Sequence, residues 1–209
     1  MQPFTQHKGV AAALLRINID TDAIIPSREM KSVSKKGLGS GLFATWRYLD
    51  ADARTPNPDF VLNKTEYTNT SILLGGDNFG CGSSREHAVW ALVEYGIKAI
   101  LSPGFGSIFY QNCVRNGIVP IVLDMSTLKK LAATIEINPQ VNKITIDLPK
   151  QTIIDSNQNS FHFDIDAGYK TMLVEGLDAI DVTLKQETLI STFEQQDQFR
   201  RPWLQSQTL

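Results

Sequence analysis

The residues with the greatest capacity for chemistry lie in a glycine-rich segment at 75–85, which reads Gly-Gly-Asp-Asn-Phe-Gly-Cys-Gly-Ser-Ser-Arg. An apolar run precedes it and a helix-forming run follows it. Glycines let a backbone turn tightly and approach a ligand closely. A helix N-terminus adds unpaired N–H groups and a partial positive charge. Because Ser83, Ser84 and Arg85 stand at this point, the segment predicts a site for a small carboxylate or phosphate.

Two familiar nucleotide-binding loops do not fit this segment. A P-loop needs Lys directly before its Ser or Thr, where this chain has Gly82. The dinucleotide fingerprint needs a third small residue, where this chain has Arg85. A guanidinium can instead hold a carboxylate at two points. Ser83 and Glu86 also fit a capping box, so the pattern leaves open whether Ser83 caps a helix or carries chemistry.

The chain has few cysteine and histidine residues, the side chains that most often bind metals. Its two cysteines are Cys81 and Cys113, and its histidines are His7, His87 and His162. An iron–sulfur cluster normally takes three or four cysteines, and these histidines form no HExxH pattern. We therefore predict no metal site on this chain, and a cluster, if the chemistry needs one, on another chain. The local patterns favour a structural role for His87 and a packing role for Cys81.

Composition narrows the class of protein. The chain has 209 residues, 42% of them hydrophobic, and a formal net charge of -2, which predicts one globular domain over 1–209 and no nucleic-acid surface. No apolar run reaches the roughly 20 residues that span a bilayer, and the start does not read as a signal peptide. We expect a cytoplasmic protein without a membrane partner, a flexible tail at 1–8 and a C-terminal tail at 196–209.

Strands and helices alternate from residue 71 onward. The alternation predicts βαβ units, and hence an α/β fold whose mixed, partly parallel sheet has flanking helices. We expect a strand within 10–19, further strands at 71–74, 98–101, 118–123, 144–147 and 161–165, and helices at 84–95, 107–115, 127–135, 168–175 and 186–195.

At residues 78–88 the chain resembles the aconitase-type swivel domain and, more closely, the family of isopropylmalate dehydratase small subunits. Residues 18–26, 108–120 and 176–184 resemble further motifs of that family, in the same order. The resemblance implies a swivelling-domain-like β/β/α architecture. It also implies a hydro-lyase whose large subunit, the partner in a heterodimer or larger assembly, carries a 4Fe-4S cluster.

The resemblance also implies roles for single residues. Ser83 takes the catalytic base role, Ser84 donates to the substrate, and Arg85 clamps a substrate carboxylate. Asp22 lies near the site and orients Arg85 or the serine, although an Asx-turn or cap is its alternative.

Residues 27–48 are expected to form a mobile substrate loop, to which the resemblance assigns Arg28 and Lys35. Lys35 stands where the family often has Arg. Because Lys cannot make the planar two-point contact of Arg, the sequence leaves the identity of the substrate open. The apolar side chains of Leu38, Leu42 and Phe43 favour a substrate with an isopropyl group. Citraconate, dimethylmaleate and homoaconitate remain alternative substrates, and a non-enzymatic anion-binding domain is the alternative of another class.

Overall fold

A mixed sheet organises the protein. The computed structural model describes residues 1–30, 34–50, 52–83 and 85–204. Within these ranges the strands are β1 (Gln6–Leu14), β2 (Thr70–Gly75), β3 (Ala99–Ser102), β4 (Val119–Val122), β5 (Ile144–Asp147), β6 (Thr152–Ile154) and β7 (Ser160–His162). The helices are α1 (Thr21–Ile24), α2 (Ala44–Arg47), α3 (Glu86–Tyr95), α4 (Ser107–Arg115), α5 (Met125–Ile137), α6 (Ala167–Glu175), α7 (Ala179–Leu184) and α8 (Glu187–Arg200).

The strand order is β4-β3-β2-β1-β5-β6-β7. Strands β1 to β4 run parallel, whereas β5 pairs antiparallel with β1 and continues into the antiparallel β6 and β7. The prediction of a mixed, partly parallel α/β sheet is confirmed. Strand β6 and the short helices α1, α2 and α7 were not among the predicted elements.

Both faces of the parallel half are covered. Successive strand residues point to opposite faces. Accordingly Leu73 enters one hydrophobic cluster with Leu92 of α3, while Ile72 and Leu74 enter a second cluster with Leu128 of α5. Burial on both sides explains why these strands read as continuous apolar runs.

The predicted flexible tail at 1–8 is wrong. Strand β1 begins at Gln6 and lies between β2 and β5, so it is a central strand. Phe4 is buried, and its N–H donates to the carbonyl of Leu173 at 2.8 Å. The polar residues of this stretch do not show the apolar pattern of a buried strand. The start of β1 is instead stabilised by pairing with strands that come much later in the sequence.

Two further boundary predictions need correction. Helix α8 runs to Arg200, so residues 196–200 of the expected C-terminal tail are helical, and 205–209 lie outside the described residues. In the 27–48 segment, Leu38, Leu42 and Phe43 are buried in the first cluster, and the rings of Phe43 and Trp46 stack at 5.5 Å. They are core residues because they pack inward, so the expectation that they face an isopropyl group is wrong.

Candidate active site

Residues 18–26 and the glycine-rich loop meet at the carboxyl ends of the parallel strands. Strands β1 and β2 are parallel neighbours, so their carboxyl ends lie side by side, where ligands bind in open α/β sheets. The N–H of Thr21 donates to the carbonyl of Cys81 at 3.0 Å, and the N–H of Gly80 donates to that of Ile19 at 2.7 Å. These bonds fix the loop against the segment that carries Asp22.

Two glycines shape the loop. Gly80 has φ +73°, a backbone conformation that residues with a Cβ rarely adopt. A Cβ there would also lie 2.1 Å from the ring of Phe109, so a larger residue would clash with that ring. Gly82 has φ +90°. The chain therefore turns sharply just before Ser83.

Ser83 is not a helix cap. Helix α3 begins at Glu86, and its N-cap position is Arg85, whose backbone is extended at φ -101° and ψ 103°. The capping interpretation of Ser83 is thus wrong, because the extended Arg85 separates it from the helix. The Ser83 carbonyl accepts from the Arg85 N–H at 2.8 Å and from Thr21 Oγ1 at 3.0 Å. Among the described residues, the hydroxyl of Ser83 has Thr21 Oγ1 as its neighbour, at 3.5 Å.

Arg85 is held by Asp22. Its Nη1 pairs with Asp22 Oδ1, while the guanidinium keeps partial access to solvent. Asp20, rather than Asp22, caps α1 by accepting from the N–H of Ala23 at 2.7 Å. The cap role considered for Asp22 therefore belongs to Asp20, and Asp22 is available to aim the guanidinium.

Ser83 and Arg85 line one cavity of about 240 Å³. Its opposite wall comes from the start of α4, including Gly106, Ser107 and Ile108. Gly106 is the N-cap of α4, and no described side chain caps the first turn of α3 or of α4. Two helix N-termini and a guanidinium thus converge, an arrangement that binds anions.

Two of the other predicted substrate residues, Arg28 and Lys35, lie away from the lining of this cavity. Arg28 Nε lies 3.6 Å from Glu29 Oε1, and Lys35 Nζ lies 4.7 Å from the ring centroid of Trp90. Neither belongs to the residues that line the cavity. Ser84 lies outside the described residues. Of the six predicted site residues, Ser83 and Arg85 face the cavity, and Asp22 pairs with Arg85.

Sequence reasoning missed Glu94, which anchors the segment that carries Lys35. Its two carboxylate oxygens accept from the N–H groups of Gly37 and Gly39, both at 2.6 Å. These bonds stabilise the charged form, and the pKa of Glu94 is therefore lowered. No local pattern signals this contact, because its partners are more than 50 residues apart.

The other polar residues of the motifs serve structure. His87 packs against Trp90 with ring centroids 4.7 Å apart. Asn116 accepts from Trp90 Nε1 at 3.1 Å and donates to Glu86 at 2.8 Å, which joins α3 to the end of α4. Burial, and then the charge of Asp20, raise the pKa of the Cys81 thiol, so that it stays protonated at neutral pH.

The described residues do not assemble a metal site: in them no group of three or more His, Cys, Asp or Glu side chains is placed to hold an ion. Cys113 is buried in the core, where desolvation raises its pKa well above the usual value. An iron–sulfur cluster therefore does not fit this part of the chain. No helix in the described ranges is long and apolar enough to cross a membrane.

Comparisons with known proteins identify the family of this chain. Residues 1–126 match the family described as Aconitase C-terminal domain, and residues 129–167 match the one described as LeuD_N. The 3-isopropylmalate dehydratase small subunit of Cupriavidus necator is 56% identical over 204 residues, covering 98% of each chain. That of Bacillus licheniformis is 48% identical over 206 residues, covering 99% of this chain and all of its own.

A solved structure also matches the fold of this chain. The 3-isopropylmalate dehydratase (LeuD) of Methanocaldococcus jannaschii superposes with a TM-score of 0.64 at 28% identity, covering 90% of this chain and 99% of its own. Fold and site together define an aconitase-type swivel domain. Within that class, the chain belongs to the family of 3-isopropylmalate dehydratase small subunits.

Proposed function

We propose that this chain completes the active site of a two-subunit hydro-lyase that interconverts 2-isopropylmalate and 3-isopropylmalate in leucine biosynthesis. The observation that carries the proposal is the presence of Ser83 and Arg85 in one cavity, with Asp22 holding the guanidinium. Family membership supplies the reaction class. The fold alone would not, since one fold serves many chemistries.

Ser83 is assigned the base role. A serine hydroxyl is a weak base unless its deprotonated form is stabilised. Here the converging helix N-termini and the Arg85 guanidinium favour an anion at this place. Ser83 Oγ takes the proton from the carbon next to a carboxylate, while the hydroxyl on the neighbouring carbon takes up a proton from the medium and leaves as water, which gives 2-isopropylmaleate. Water then adds its oxygen to the other carbon and returns a proton to the medium, and Ser83 gives its proton back to the carbon that lost the hydroxyl.

Arg85 is assigned to the substrate carboxylate. Asp22 occupies one terminal nitrogen of the guanidinium, which fixes the plane of the fork and leaves other N–H groups for the ligand. The positive guanidinium, held against that carboxylate, also counters the negative charge that develops when the proton leaves the neighbouring carbon.

The cavity offers one wall for an alkyl group. Ile108 lines it and is about half exposed, at 50%. With Leu38, Leu42 and Phe43 in the core, we assign contact with the isopropyl group to Ile108. Arg28 and Lys35 remain proposed substrate contacts in the assembled enzyme, although neither lines the cavity of this chain.

We assign the 4Fe-4S cluster to the large subunit, because the two cysteines in the whole sequence cannot supply three ligands. Its chemistry is that of a Lewis acid for an oxygen of the substrate. Both cysteines here are free thiols, in keeping with a cytoplasmic enzyme.

The test is a comparison of substrates. The chain is combined anaerobically with cluster-loaded large subunit, and 2-isopropylmalate, citraconate, dimethylmaleate and homoaconitate are assayed in parallel. Preferential turnover of 2-isopropylmalate is the expected result. Preference for another acid would overturn the substrate assignment. Binding of dicarboxylates by the chain alone, without turnover in a stable complex, would favour an anion-binding domain.

A further inference from the structure

The last described segment, residues 178–204, stands apart from the rest of the molecule, and we call it the C-terminal arm. It holds α7, α8 and a final 3-10 turn at Pro202–Leu204. Of residues 178–203, all but Ile190 and Asp197 are exposed to solvent. The preceding helix α6, by contrast, buries Leu173 completely. The arm thus receives little stabilisation from the core of its own chain.

The arm nevertheless carries a large apolar surface. Phe193 is 63% exposed, Phe199 90% and Trp203 74%. Its further exposed large apolar residues are Ile180, Val182, Leu184 and Leu189. An isolated helix of about 14 residues is marginal in water, and its stability in proteins comes from packing an apolar face. A concentration of exposed aromatic and aliphatic residues therefore marks a protein contact.

Two apolar residues of α8, Leu189 and Phe193, share a face, whereas Phe199 lies about 120° around the helix from Phe193. Leu189 and Phe193 are four residues apart, so they lie one above the other on the helix surface. Gln198, at about 100° per residue, points about half a turn away from Leu189. Leu189 and Phe193 therefore form a short apolar stripe, with Gln198 on the opposite side of the helix, and such a pair is an anchor for a partner surface.

Charge indicates what kind of partner the arm contacts. Residues 178–203 hold five acidic side chains and three basic ones: Asp178, Asp181, Glu187, Glu194, Asp197, Lys185, Arg200 and Arg201. A helix that binds an anionic membrane surface needs a basic polar face, which this composition does not provide. The occupant of the apolar stripe is therefore a protein surface.

We propose that the C-terminal arm docks on the large subunit, with Leu189 and Phe193 at the centre of the contact. The inference rests on the proposed function, since it takes its partner from the two-subunit enzyme. The full-length alignments support this occupant, because they cover 98% or more of this chain and lead to proteins named as small subunits. The arm therefore lies within the length of chain that these small subunits share.

The test compares two substitutions that add the same charge to α8. Phe193→Glu alters the apolar stripe, and Gln198→Glu alters the opposite side. Both side chains are exposed, so both variants should melt like the unmodified chain. We expect Phe193→Glu to weaken the dissociation constant with cluster-loaded large subunit by about tenfold or more. Gln198→Glu should stay within about twofold.

The remaining outcomes separate this inference from the proposed function. Equal affinity of both variants, in a complex that turns over 2-isopropylmalate, would overturn the docking role and leave the function intact. If ultracentrifugation of the isolated chain shows a dimer that Phe193→Glu dissociates, while affinity for the large subunit is unchanged, the occupant is a second copy and the proposal is wrong. An unmodified chain that binds the large subunit without turnover would instead count against the function.

Discussion

The replacement of Ser83 by Ala separates structure from chemistry. The Ser83 carbonyl bonds to Thr21 and Arg85 use the backbone and survive the change. The side chain loses only a contact of 3.5 Å with Thr21 Oγ1, at the outer limit of hydrogen bonding. Because α3 begins three residues later, no cap is lost. We therefore expect the free energy of unfolding to fall by less than about 0.5 kcal/mol.

The expected loss of activity is much larger. A positioned base contributes about 100- to 10 000-fold to the rate, so kcat/KM of the reconstituted enzyme should fall by that factor. The assays are denaturant unfolding of the isolated chain and turnover of 2-isopropylmalate in the complex. Ser107→Ala is the matched control, because it removes a hydroxyl from the same cavity. It should cost no more than about tenfold. Near-normal turnover by Ser83→Ala would refute the base role.

Other perturbations test the remaining parts of the site. Arg85→Lys should lower kcat/KM by about 10- to 100-fold through a higher KM, and an unchanged KM would remove Arg85 from carboxylate binding. Asp22→Asn should act in the same direction but less strongly, and no change in KM would exclude a positioning role. Ile108→Ala should lower kcat/KM for 2-isopropylmalate about tenfold relative to citraconate, and an equal loss for both would contradict the alkyl wall. Glu94→Gln should destabilise the chain by less than about 1 kcal/mol at neutral pH, with the difference vanishing as the pH falls through the lowered pKa of Glu94. A difference that persists at low pH would show that the carboxylate charge is not what matters.

The sequence was most informative where local signals and burial agree. The prediction of a helix at 107–115 matches α4 at both ends, and Gly96 ends α3 in the left-handed conformation that glycine favours. Strands β2 to β4 were placed within two residues, because their apolar runs are buried on both faces. The helices α1 and α2, with four residues each, are too short to carry a periodic signal.

The errors arise where distant contacts override local patterns. Ser83 and Glu86 satisfy the capping-box pattern, but the hydrogen bonds to Thr21, 62 residues away, hold Ser83 outside the helix. A sequence likewise cannot tell whether an apolar side chain such as Leu42 faces a ligand or the core. Arg85 and Asp22 were brought together only through the family resemblance, since 63 residues separate them.

The central claim is that this chain and a cluster-bearing large subunit form one active site. The most direct test titrates the unmodified chain into anaerobic large subunit at saturating 2-isopropylmalate and follows the formation of 3-isopropylmalate. We predict no turnover by either subunit alone, and a rate that rises with added chain and then saturates. The same rate from the large subunit alone, or no turnover in a complex shown to be assembled, would contradict the claim.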